Sequence, residues 1–169
     1  MPVPPRVSFI VKQILSVFTL LILSLITTLQ TSYAASDVLT ITGKVENGAQ
    51  SFSFKELEQL PRLKIVTETI WTDEPHTYTA ISVKQLLTSV SAQGSTLKLI
   101  ALNDYSVEVP INTLVEHDAF IAYEQDGKRM RIRDKGPLWI LYPFSDKPEI
   151  NIPVYQSHSV WQLKSIEVF

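Results

Sequence analysis

The chain reads as an α+β fold, mainly β, with short helices inserted between antiparallel strands. Three observations carry this reading. Short runs of β-branched and aromatic residues recur along the chain. Turn signals such as Asn47-Gly48 and Asp126-Gly127 stand between them, and the stretches with helical start signals are brief. The regular strand–helix alternation of a doubly wound fold is missing.

Taken in order, Val38 to Val45 alternates apolar and polar residues and ends at the hairpin signal Asn47-Gly48, after which Ser51-Phe52-Ser53 resumes the strand. Ser53-Phe54-Lys55-Glu56 has the form of a capping box, in which a hydroxyl and a carboxylate satisfy the free amides of a helix start; Pro61 stops that helix. Lys64 to Trp71 is a strand by composition, Thr72 to His76 a loop, and Thr77-Tyr78-Thr79 a second extended piece. Ser82-Val83-Lys84-Gln85 repeats the capping-box pattern and opens a helix through Val90. Leu97 to Leu102, a turn at Asn103-Asp104-Tyr105 and Val107-Glu108-Val109 form a hairpin. Asn112 caps a third helix, Thr113 to Glu116. Phe120 to Tyr123 and Met130 to Arg133 flank the turn at Asp126-Gly127. Leu138 to Tyr142 is a short apolar strand between Pro137 and Pro143, a proline-containing segment runs to Ser159, and Trp161 to Phe169 is the final strand.

The first residues set the expected compartment. Arg6 and Lys12 are the only charges before Asp37, Ile14 to Leu29 is almost wholly apolar, and Ser32-Tyr33-Ala34 supplies small residues for cleavage after Ala34. This is the layout of a secretory signal peptide over residues 1–34, and the apolar run falls short of the roughly 20 residues of a spanning helix. Residues 35–169 then form a single exported domain, expected in the periplasm, with no later segment apolar enough to span a bilayer. The 15 basic residues are outnumbered by 17 acidic ones, which argues against a nucleic-acid partner. With no cysteine, the chain forms no disulfide and offers no thiolate ligand.

Several chemistries lack their residues. His76, His117 and His158 lie far apart without partners at metal-ligand spacing, so no metal site is expected. No Gly-x-Ser-x-Gly elbow or glycine-rich phosphate loop occurs, and no catalytic residue is assigned. Asp73-Glu74 and the pair Asp104 and Glu108 are turn carboxylates of the usual solvated kind. Aromatic residues are more informative. Tyr142 and Trp161 read as core, whereas Trp71, Tyr105 and Trp139 adjoin polar turn residues, a setting in which a ring face stacks on a planar ligand. Arg131, Arg133, Asp134 and Lys135 crowd the loop before Gly136-Pro137, at what reads as a pocket mouth.

Three pieces carry a family resemblance: Ile81 to Leu87, the hairpin Ala101 to Pro110, and Phe120 to Tyr123 with Asp126-Gly127 followed by Gly136 to Pro143. In order and spacing they resemble the molybdopterin-binding domain of the sulfite oxidase family over nearly the whole of residues 39–169. The departures matter. Catalytic members hold molybdenum through a cysteine thiolate, and this chain has none. Trp139 stands where an arginine commonly meets the cofactor, and Lys135 where a histidine precedes the glycine. An anion-binding fork has become a stacking surface, which suits a pterin ring without a phosphate tail.

In this respect the chain resembles small, exported, cysteine-free relatives that bind reduced pterins and control an inner-membrane signalling enzyme of cyclic-di-GMP metabolism through its periplasmic domain. The resemblance implies a non-catalytic pterin sensor. Trp71 and Trp139 would stack on the ring, Asn103, Asp104 and Tyr105 would bond its edge, and Arg131, Arg133 and Lys135 would frame the pocket or engage the partner. The alternatives are a molybdopterin-dependent oxidoreductase with a non-cysteine metal ligand and an interaction module without a ligand.

Overall fold

In the computed structural model, residues 36–169 are described, so the expected signal peptide lies outside the described residues. Ten strands form two sheets. In the first, β2 (Gln50–Ser53), β1 (Asp37–Gly43), β10 (Leu163–Val168), β5 (Thr96–Ala101) and β6 (Ser106–Pro110) lie side by side in that order. All neighbours are antiparallel except β1 and β10, which run parallel. In the second, β3 (Arg62–Thr67), β4 (His76–Ser82), β7 (Phe120–Gln125) and β8 (Lys128–Arg129) follow one another, and β9 (Trp139–Leu141) also pairs with β7. The short helices are α1 (Phe54–Leu57), α2 (Val83–Ser89), α3 (Ile111–Glu116) and α4 (Pro153–His158).

Alternation builds the core. Leu39 and Ile41 of β1, Leu97 and Leu99 of β5, and Ile166 and Val168 of β10 are buried in one cluster with Ile81 of β4, Ile121 and Tyr123 of β7, and Leu86 of α2. The opposite face of the second sheet carries a smaller cluster of Tyr78, Ala80, Phe120, Ala122, Trp139 and Leu141, with Trp71 packed against it. This two-sided burial explains why β7 reads as a continuous apolar run.

Local chemistry follows the sequence in several places. The Ser53 capping box forms, with the Glu56 carboxylate accepting from the Ser53 amide at 2.7 Å. Asn47 and Gly48 both take positive φ, as the tight hairpin requires. Gly43, at φ +87°, lies so close to β10 that a Cβ there would sit 2.1 Å from the Val168 carbonyl oxygen.

Elsewhere the structure corrects the reading. The strand expected to reach Trp71 stops at Thr67, because Thr69 and Thr72 close a turn in which the Thr69 amide donates to Thr72 Oγ1 at 3.1 Å. Ser82 precedes α2 without a side-chain cap, so the capping box read there does not form. Pro110 rather than Asn112 stands at the start of α3, its fixed φ suiting a helix entry. Met130 to Arg133 is not the return strand: that strand, β8, is the two residues Lys128–Arg129 before it, and Ile132–Asp134 turns into a 3₁₀ helix. The proline-containing segment, to which the sequence assigns no element, holds α4, with Pro153 in its first turn.

A candidate ligand hollow beside two tryptophans

The turn at Thr69–Thr72 sets Trp71, whose amide donates to Thr69 Oγ1 at 3.1 Å. From there the Trp71 ring meets two others edge to face: Trp139 at 5.9 Å and Trp161 at 5.5 Å between centroids. Trp139 and Trp161 are themselves joined by an isolated antiparallel bridge. The β5–β6 turn is fixed by Asn103, whose side-chain oxygen accepts from the Tyr105 amide at 3.2 Å, and by Asp104 at φ +65°. The Tyr105 hydroxyl then donates to the Ser157 carbonyl of α4 at 3.2 Å, tying that turn to the helix.

Between these parts lies a hollow of about 250 Å³. Trp71 and Trp161 supply aromatic wall, Asn103 and Tyr105 come from the turn, and Gln156, Ser157 and Ser159 come from the α4 segment. No ionised side chain lines it. Amide, hydroxyl and backbone groups facing aromatic wall suit a neutral planar ligand with hydrogen-bonding edges.

Three of the eight sequence-selected residues therefore line the hollow: Trp71, Asn103 and Tyr105. Trp139 does not. It is fully buried, its indole N–H donates to the Ser159 carbonyl at 3.2 Å, and its ring supports Trp71 from behind. Asp104 turns outward to Lys164 at 2.6 Å, and that ammonium holds its carboxyl below the ordinary carboxylate range. Arg131 and Arg133 are exposed beside Asp134 and do not reach the hollow. Lys135, at φ +70°, sits with its ammonium 5.4 Å from the Trp139 ring centre and likewise lies off the hollow. The charged loop thus gathers around its own carboxylate and the back of the tryptophan cluster.

Trp161 is the principal residue that sequence reading missed. Read as core, it is exposed at the rim and lines the hollow. Its neighbour Gln162 takes φ +53°, so regular alternation fails there. Tyr142, also read as core, is buried, and its hydroxyl meets His158 Nδ1 at 3.2 Å behind α4. Burial lowers the His158 pKa from its ordinary value. Among the described residues, no three metal-ligating side chains converge.

No family model matches the sequence, and no curated protein matches it. Among solved structures, the sulfane dehydrogenase SoxCD from Paracoccus pantotrophus is similar to this chain. The TM-score is 0.59 at 16% identity, over 78% of this chain. That likeness shows the fold. It is the sulfite oxidase-like molybdopterin-binding fold, α+β and mainly β. The match spans only 37% of the SoxCD chain.

The fold implies a molybdenum-bearing pterin cofactor, and the residues present do not suit that whole group. The sequence offers no thiolate for the metal, and no cation lines the hollow to meet a phosphate. The volume also lies just under the roughly 300–1,000 Å³ of sites for drug-sized ligands.

Proposed function

We propose that this chain is an exported, periplasmic pterin-binding protein that carries out no reaction of its own. It regulates an inner-membrane signalling enzyme of cyclic-di-GMP metabolism through that enzyme's periplasmic domain. The observation that carries the ligand is the uncharged hollow of about 250 Å³ walled by Trp71 and Trp161 and edged by Asn103 and Tyr105. A pterin ring can stack a π-face on one indole while the other, at 86° to it, meets the ring's rim, and the ring edge offers donors and acceptors for an amide and backbone carbonyls. The absence of a thiolate supports a binding role over an oxidoreductase. The resemblance to cysteine-free regulators supports the partner. Ligand binding would favour one arrangement of the turn and helix that close the hollow, shifting the population that the membrane protein meets.

The test is the content of the protein purified from its own host, by mass spectrometry, fluorescence and elemental analysis. A stoichiometric pterin without molybdenum is the expected result, with Trp71→Ala and Trp161→Ala each losing it. Stoichiometric molybdenum would overturn the proposal and favour an oxidoreductase.

A further inference from the structure

The second sheet ends at β3, whose only strand partner among the described residues is β4. Its other edge therefore presents a row of backbone donors and acceptors open to a further strand. The two faces beside that edge differ. Leu63 and Ile65 belong to the smaller apolar cluster and line a groove of about 750 Å³ that continues past Leu60, Gln85 and Pro143. Arg62, Lys64 and Val66 alternate with them on the other face and are exposed. Neither Arg62 nor Lys64 enters an ion pair among the described residues.

In the groove itself, Lys147 is held by Asp118 at 2.6 Å, while Lys84 and Asp146 have no such partner among the described residues. Lys84 and Asp146 offset each other in sign, so the unbalanced charge along the edge strand is the basic pair Arg62 and Lys64. The Gln85 side-chain oxygen is buried beside the groove without a hydrogen-bond partner among the described residues.

We propose that this edge and groove form a docking surface for an extended segment of a partner protein in which apolar and acidic residues alternate. Added to β3 as a strand, such a segment lays its apolar side chains beside Leu63 and Ile65 and its carboxylates beside Arg62 and Lys64. Two copies of this chain paired edge to edge would instead set the Arg62–Lys64 rows against each other, which like-charge repulsion opposes. The groove and the tryptophan hollow share no lining residue, so this inference does not rest on the pterin reading.

The test titrates the protein with an end-blocked, fluorescent peptide of about eight residues alternating glutamate and valine, and with its lysine–valine counterpart. Saturable binding of the acidic peptide alone is expected, with slowed amide exchange confined to residues 62–66. Charge reversal by Arg62→Glu with Lys64→Glu is expected to weaken it at least tenfold while circular dichroism stays unchanged. No saturable binding, equal binding of the basic peptide, or protection at another strand would overturn the proposal. Dimerisation through β3, seen by sedimentation with exchange protection at the same amides, would overturn it in favour of a second copy.

Discussion

At the scale of single residues, the three tryptophans divide their work by burial. Trp139 is enclosed on all sides, so Trp139→Ala leaves a cavity and is expected to cost about 3–5 kcal/mol of stability. Thermal or denaturant unfolding measures this. Trp71 and Trp161 stand at the hollow, and replacing either by alanine removes a stacking face. A roughly tenfold or greater loss of pterin affinity is expected by analogy with base stacking on aromatic rings, read by fluorescence titration. Asp104→Asn should leave that affinity unchanged, because the carboxylate faces Lys164; a large loss would place Asp104 in the site after all.

The sequence singled out aromatic residues beside polar turns, and of these Trp71 and Tyr105 line the hollow while Trp139 does not. It could not show which indole faces outward. That choice depends on Trp139 lying in β9 against β7, a pairing between segments far apart in the chain. Asp104 shows the same limit, since its direction is set by Lys164, which lies 60 residues away.

At the scale of elements, local signals succeeded where backbone groups find partners nearby. The Ser53–Glu56 box and the Asn47-Gly48 turn are satisfied within a few residues, so both were legible. α4 was not legible, because its place depends on its own Tyr155 and His158 packing against Tyr142. That buried surface makes α4 sensitive to acid. Burial disfavours the charged imidazolium of folded His158, whereas in the unfolded chain the imidazole titrates near its ordinary 6.5. The unfolded state therefore binds more protons below that pH, and stability falls as pH drops through and below 6.5. Unfolding measured across this range should show a steeper loss for the natural chain than for His158→Gln. Equal slopes would mean that His158 titrates alike in both states.

At the scale of the whole molecule, the mainly β class was visible from alternation and turn signals. The order of strands within each sheet was not, because it depends on pairings between distant segments. Of these, the parallel contact between β1 and β10 is the most distant in sequence. Gly43 allows that contact to close, and Gly43→Ala would place a methyl group against the Val168 carbonyl at a backbone angle that alanine disfavours. A fall in the unfolding midpoint is the expected outcome, with the melting curve as the measure.

β10 also has a consequence for folding. It fills the middle of the first sheet, between β1 and β5, yet it lies far from both in sequence. Until residues 163–168 pack in, the β1–β2 hairpin and the β5–β6 hairpin have no strand to join them. The two hairpins can form locally, but the sheet closes only through contacts of long sequence separation, which makes its assembly the slow, late step of folding.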